Sequence, residues 1–140
     1  MHAFLILCDF AETINGKLYI QGGGWTRLAT GGAPVNFFLA GKIFVPWTNA
    51  NRQSALSLSL VTEDGNPVFD PNGSPVHMDG GFEVGRPPGT AAGTELDVPL
   101  TFRLEGLPML PGRYRWELKV DGVEMVALPF TILAGSVLPQ

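Results

Sequence analysis

The chain has few of the side chains on which most enzyme chemistry depends. Its 140 residues include one cysteine and two histidines. A single cysteine excludes a disulfide within the chain and fits a reducing compartment, so we expect a cytoplasmic protein. Cys8 lies in an apolar segment with no basic neighbour to stabilise a thiolate. This setting favours a buried structural cysteine over a nucleophile.

Charge is also scarce. Charged residues make up 16% of the chain, whereas a typical soluble domain has about 25%. The net charge of −4 gives no positive field, and we therefore expect neither nucleic acid nor a membrane as a partner. The apolar run at residues 4–7 follows no basic segment, is soon interrupted by Asp9 and is too short to cross a bilayer. We expect a strand there rather than a signal peptide.

No segment has the 3.6-residue period of an amphipathic helix, whereas a two-residue period is clear. Apolar residues take every second position from Leu96 to Leu104 and from Tyr114 to Val120. Because side chains on a strand alternate between the faces of its sheet, these segments predict antiparallel strands with one solvent-exposed face. The 18 glycines and 12 prolines fit short strands joined by turns. The sequence therefore predicts one all-β domain over residues 1–140, an immunoglobulin-like, two-sheet antiparallel β-sandwich of about eight to nine strands.

Turn signals place the strands along the chain. Asn15-Gly16 and Asp121-Gly122 are hairpin dipeptides, because these residues tolerate the positive φ of a tight turn. Tyr114 follows a Pro-Gly turn, as in the tyrosine corner of Greek-key sandwiches. Gly41 is a candidate bulge, and residues 85–93 are expected to form a mobile loop. The predicted strands cover 3–11, 17–21 with a continuation at 25–28, 35–45, 56–60, a broken strand and an edge strand within 68–84, and three segments from residue 96 onward.

The early strands carry apolar residues on both faces. In the first strand these are Phe4, Leu5, Ile6, Leu7, Cys8 and Phe10. In the third they are Val35, Phe37, Phe38, Leu39, Ala40, Ile43, Phe44 and Val45. A sandwich buries only one face of each sheet. Three explanations stay open: loops cover the second face, bulges at Gly41 and in Gly22-Gly23-Gly24 change which face is inward, or another chain covers it.

Cover by another chain leads to a prediction of function. We expect a non-enzymatic protein-interaction or structural module that self-associates or docks on a larger assembly. Its partner is expected to be the chain itself or another protein, with a homo-oligomer favoured, and no cofactor or metal is expected. The candidate contact residues are Phe38, Phe44, Leu5, Leu7, Trp25 and Trp47.

A ligand-binding sandwich is the alternative. Trp25 and Trp47 each stand at a strand–loop junction, where an exposed ring could stack on a sugar. The simpler interpretation is that both rings are buried and close an end of the sandwich core. Several aspartates near turns could instead hold calcium, although turn formation explains each of them. These are Asp64, Asp70, Asp79 and Asp121.

An enzyme is the third hypothesis, and it rests on one pair of residues. His77 and Asp79 are two positions apart and share a face if the segment is extended. A carboxylate so placed could orient the imidazole, or the pair could supply two metal ligands, but no third ligand is apparent. An exposed histidine without a function is the simpler interpretation.

Several short motifs resemble an uncharacterised bacterial family that is common in actinobacteria. The motifs are Leu7-Cys8-Asp9-Phe10-Ala11, Asn15-Gly16-Lys17-Leu18, Gly22-Gly23-Gly24-Trp25, Pro111-Gly112-Arg113-Tyr114, Val120-Asp121-Gly122 and Pro129-Phe130. The resemblance covers most of the chain and implies a small all-β protein with no known activity or catalytic residue. The shared residues are turn formers and core aromatics, which is the pattern expected of a scaffold or binding module.

Overall fold

The computed structural model describes residues 1–135. Within this range the chain forms nine strands, with one 3-10 helix at Trp47–Asn49. The strands are β1 (His2–Ile14), β2 (Lys17–Gly23), β3 (Arg27–Ala29), β4 (Val35–Val45), β5 (Ser54–Thr62), β6 (His77–Phe82), β7 (Leu96–Leu107), β8 (Gly112–Val120) and β9 (Val123–Leu133).

The strands form two sheets that enclose one main core. Sheet A has the order β2-β1-β4-β7, and sheet B has the order β3-β9-β8-β5-β6. Side chains from both sheets make up the core cluster. The predicted all-β, two-sheet sandwich and its strand number are confirmed. One detail differs, because β3 pairs with β9 in parallel whereas the other neighbouring strands are antiparallel.

Phe37 on β4 lies at the centre of the core. Its ring makes edge-to-face contacts with Trp25 at 5.7 Å and with Trp116 and Phe130 at 6.1 Å between centroids. Trp116 is fully buried, as the alternation in its strand predicted. Burial of one such large apolar side chain contributes about 1.5–3 kcal/mol, and the offset aromatic contacts add to that.

The glycine triplet carries the chain from sheet A to sheet B. Gly22 and Gly24 have φ of 59° and 87°, values that glycine adopts without steric cost. The Gly24 N–H donates to the Leu7 carbonyl at 2.7 Å, and β2 has ended by then. The predicted continuation of this strand therefore begins only at Arg27, and it joins the other sheet.

The predicted turns are confirmed. Asn15-Gly16 and Asp121-Gly122 have positive φ at both residues, as a type I′ hairpin requires. The Tyr114 hydroxyl donates to the Leu110 carbonyl at 2.5 Å, which is the tyrosine-corner contact. Residues 68–84 contain an isolated bridge, Phe69 to Pro75, and the edge strand β6, as expected. The mobility of the 85–93 loop stays a prediction.

Gly41 is not a bulge. The pairing of β4 with both neighbours continues through this residue without a register shift. A β-carbon at Gly41 would overlap the Phe4 carbonyl oxygen, so the residue is glycine because β1 passes too close for a side chain. Since the alternation is unbroken there, Phe38 and Phe44 stay on the face of sheet A that points away from sheet B.

Candidate functional site

The outer face of sheet A is apolar along β1, β2 and β4. The strand registers place Cys8 opposite Phe38, Ile6 opposite Ala40 and His2 opposite Phe44. Ile20 lies opposite Ala11, and both belong to the cluster that Cys8, Ala40 and Ile6 form on this face. We call this surface the apolar face. It consists of Phe4, Ile6, Phe10, Ile20, Phe38 and Phe44.

The apolar face leaves two large side chains exposed. Phe4 and Phe10 are each 40% exposed, whereas Ile6, Ile20, Phe38 and Phe44 are partly buried. A concentration of this kind on one sheet face is typical of a contact surface.

Aromatic contacts hold the side chains of this face in place. The ring centroids of Phe10 and Phe38 are 5.1 Å apart, and those of Phe4 and Phe44 are 6.1 Å apart. His2 stacks on Phe44 at 4.6 Å. A second, smaller apolar cluster, separate from the main core, includes part of this face. Its members are Cys8, Ala11 and Ala40, with Ile6, Ile20 and Phe38 packed against them.

Cys8 is a buried member of that cluster. Burial raises the pKa of its thiol, and the Asp9 carboxylate adds to the rise. The Sγ–H donates to the Phe38 carbonyl at 3.5 Å. The predicted structural role is confirmed, since a protonated, fully buried thiol is a poor nucleophile.

The charges beside the apolar face are balanced in sign. Lys42 and Asp97 form an ion pair at 3.6 Å, and Arg103 pairs with Glu105 on β7. The outward positions of β4 and β7 carry two bases and two acids, although the whole chain has a net charge of −4. They are Lys42, Arg103, Asp97 and Glu105.

Four of the six candidate contact residues are not on this surface, which are Leu5, Leu7, Trp25 and Trp47. Leu5 and Leu7 are only 4% and 1% exposed and belong to the main core, so their prediction as contact residues was wrong. Both apolar stripes of β1 suit burial, and the stripe that faces sheet B contains these leucines. Phe38 and Phe44 do lie on the apolar face, and each is partly buried by its aromatic neighbour.

The two candidate tryptophans pack against the main core. Trp25 makes its contact with Phe37, and its indole N–H is buried without a hydrogen-bond partner among the described residues. Trp47 lies in the 3-10 helix, where the Arg86 guanidinium sits 4.4 Å from its ring centroid. Arg86 also donates to the Trp47 carbonyl at 2.9 Å. Arg86 therefore occupies one face of the ring that a sugar would need.

The turn aspartates accept hydrogen bonds from nearby backbone. Asp70 Oδ1 accepts from the N–H groups of Asn72 at 2.9 Å and Ser74 at 3.0 Å. Asp121 Oδ1 accepts from the Ala55 N–H at 2.8 Å. Within residues 1–135, no cluster of three or more acidic, histidine or cysteine side chains has the geometry of a metal site.

His77 and Asp79 share a face, as predicted, and the structure adds a serine to them. His77 Nε2 lies 2.9 Å from Asp79 Oδ1, and His77 Nδ1 lies 2.6 Å from Ser59 Oγ. These three side chains form a row on the outer face of sheet B, where β5 pairs with β6 and places Ser59 opposite His77. The sequence does not indicate Ser59, because the pairing of β5 with β6 cannot be derived from the alternation within each strand.

A family model matches residues 3–133. The chain belongs to a family of unknown function (DUF6941). The expected membership of an uncharacterised family is thereby confirmed. No curated protein matches the sequence.

One solved structure is similar at a low level. It is described as Pseudomonas fluorescens alkylpurine DNA glycosylase AlkC bound to DNA containing an abasic site analog. The identity is 9% and the TM-score is 0.44, with 93% of this chain and 30% of that chain covered. A similarity this low supports no functional inference. Among the described residues, no helix has both the length and the apolar character needed to span a membrane.

Proposed function

We propose that the protein is a non-enzymatic interaction module of the cytoplasm that self-associates through the apolar face. The observation that carries the proposal is the group of four phenylalanines on the outer face of sheet A, which are Phe4, Phe10, Phe38 and Phe44. Phe4 and Phe10 are each 40% exposed. A partner that covers them gains the free energy of removing apolar surface from water.

The size of the face suits a dimer. With a rise of about 3.3 Å per residue and strands about 4.8 Å apart, the four strands of sheet A together cover roughly 700 Å². A specific protein–protein contact buries about 800 Å² on each partner. The outer face of sheet A as a whole is therefore close to the area that one stable contact needs.

The balance of charges beside the apolar face permits a second copy of this chain as the occupant. Two copies repel weakly overall, since each has a net charge of −4. The apolar face adds nothing to that repulsion, because its neighbouring bases and acids are equal in number. A strongly charged partner, by contrast, would gain no complementary field here. Docking of the same face on a larger assembly is the other form of this proposal, and the experiment below distinguishes it from self-association.

The sugar- and calcium-binding alternatives have less support. Arg86 covers one face of the Trp47 ring, and Trp25 packs against Phe37 in the core. The carboxylates of Asp70 and Asp121 already accept backbone hydrogen bonds.

A single substitution on the apolar face tests the proposal. A carboxylate in a contact surface loses its hydration there, so Phe10→Asp should weaken association by several kcal/mol while the monomer stays folded. Phe69→Asp is the matched control, because Phe69 is 50% exposed and lies between β5 and β6, away from the apolar face. The measurement is sedimentation velocity at tens of micromolar, with circular dichroism to check folding.

The outcomes distinguish self-association from docking on another protein. Dissociation by Phe10→Asp alone supports self-association through this face. If both substitutions dissociate the protein equally, the contact lies elsewhere. If the unsubstituted chain is a monomer, self-association is refuted and only docking on a different protein remains.

A further inference from the structure

We propose that Ser59 is a nucleophilic acyl-acceptor site, with His77 as its general base. The proposal is independent of the apolar face, because the two lie on opposite sheets. It rests on three side chains joined by two hydrogen bonds, Ser59 Oγ to His77 Nδ1 at 2.6 Å and His77 Nε2 to Asp79 Oδ1 at 2.9 Å.

The two hydrogen bonds together select one tautomer of the imidazole. The ionised Asp79 carboxylate can only accept, so Nε2 must carry the ring proton of the neutral imidazole. Nδ1 then presents its lone pair to the Ser59 hydroxyl, which donates to it. This is the order of groups in a serine–histidine–aspartate triad, with the two ring nitrogens exchanged. Asp79 acts here as a positioning residue.

The strands hold these groups in register. Ser59 is paired on both sides, opposite His77 on β6 and opposite Glu117 on β8. Side chains on rigid, doubly paired strands are held more closely in position than side chains on loops. Glu117 is already engaged, since its carboxylate accepts from Arg115 Nε at 2.9 Å.

A groove beside Ser59 supplies space for a small acyl group. Its volume is about 580 Å³, and Ser59 and His77 form part of its wall. The rest of the wall is mostly apolar, with Pro67, Pro75 and Val76 among its residues, and it also includes Glu117. These apolar surfaces suit a short uncharged acyl chain, so the substrate class is an activated carboxylic ester.

The step is an acyl transfer to the serine oxygen. Ser59 Oγ forms a bond to the ester carbonyl carbon, and its proton passes to His77 Nδ1. The bond from that carbon to the leaving oxygen breaks, and the alkoxide or phenolate leaves with the electron pair. The leaving group or solvent then takes the proton from His77. The product is an O-acyl serine.

The same strand pairing makes the acyl group persist. In serine hydrolases the N–H of the residue after the nucleophile stabilises the oxyanion. Here the Leu60 N–H donates to the Val76 carbonyl at 3.0 Å and is not free for that role. Without such a donor, hydrolysis of the O-acyl serine is slow, because the serine alkoxide is a much poorer leaving group than a phenolate. Ser59 should therefore accept one acyl group rather than turn over.

Peptide mass spectrometry after treatment of the full chain with p-nitrophenyl acetate tests the proposal. Ser57 is an internal control, because it lies on the same strand and face opposite Asp79 and forms no side-chain hydrogen bond with the described residues. A positioned base contributes about 100-fold or more to such a step. We expect Ser59 to be acetylated about 100-fold faster than Ser57, and His77→Gln to remove that difference.

Two further variants separate chemistry from structure. Ser59→Ala should abolish the fast acetylation, whereas Ser57→Ala should leave it unchanged. Asp79→Ala should slow it, and Asp79→Glu should recover part of the rate by restoring a carboxylate near Nε2. Equal acetylation of Ser57 and Ser59, or a rate that His77→Gln leaves intact, overturns the proposal. Neither result bears on the proposed self-association through the apolar face.

Discussion

The Phe4 carbonyl oxygen lies against the α-carbon of Gly41, where a β-carbon would overlap it. This contact sets how closely β1 and β4 approach at the centre of sheet A. On the opposite side of the same two strands, the pairing places the rings of Phe4 and Phe44 6.1 Å apart. The backbone contact and the apolar surface are therefore two consequences of one strand pairing.

Gly41→Ala should be strongly destabilising. The new methyl group must displace the β1 backbone, which we expect to lower the free energy of unfolding by about 2–3 kcal/mol. Gly80→Ala is the matched control, because Gly80 also lies in a strand but has open space around its α-carbon. Its effect should stay within about 0.5 kcal/mol. Urea denaturation measures both, and equal stability of the two variants would contradict the role given to Gly41.

Tyr114→Phe removes the tyrosine-corner hydrogen bond while it keeps the ring. The hydroxyl donates to the Leu110 carbonyl at 2.5 Å, and loss of one such bond costs about 1 kcal/mol. We expect the Tm to fall by about 3 °C. Tyr19→Phe should leave Tm unchanged, because the Tyr19 hydroxyl bonds to none of the described residues. A Tm shift of the same size in both variants would show that the Leu110 contact is not the cause.

Stability should decline at alkaline pH. Burial raises the pKa of Cys8 above its ordinary value of 9.0, with a smaller contribution from Asp9. Burial also raises the pKa of Tyr114 above 10.0, partly offset by its hydrogen bond to Leu110. Between its unfolded and folded pKa values, each group is protonated in the folded protein and deprotonated in the unfolded chain. The free energy of unfolding therefore falls as pH rises through that interval and is unaffected below it.

The two groups can be separated by substitution. In urea titrations from about pH 7 to about pH 11, the wild type should begin to lose stability near pH 9 and Cys8→Ala nearer pH 10. A free energy of unfolding that stays constant to pH 11 would show that neither group is buried as described.

Local sequence patterns were enough to predict most of the fold. The observed limits of β4, Val35–Val45, are those that its apolar run predicted. The two hairpins follow from the positive φ that Asn-Gly and Asp-Gly accept. Side-chain alternation and turn chemistry are properties of neighbouring residues, so the sequence displays them directly.

What could not be predicted depends on contacts between distant segments. Leu5 and Leu7 are no more apolar than the stripe of Phe4 and Ile6, and only the position of sheet B decides which pair is buried. Gly41 indicated a bulge because its true constraint, the Phe4 carbonyl, lies on another strand. The bond from Ser59 to His77 likewise depends on the register of β5 against β6.

The molar mass of the unsubstituted chain in solution tests the central claim most directly. Static light scattering at tens of micromolar, with dilution to find where the mass begins to fall, reports it without a label or substitution. Self-association through the apolar face predicts a mass of twice the 15.0 kDa of one chain. A single species at 15.0 kDa across the whole concentration range would contradict it.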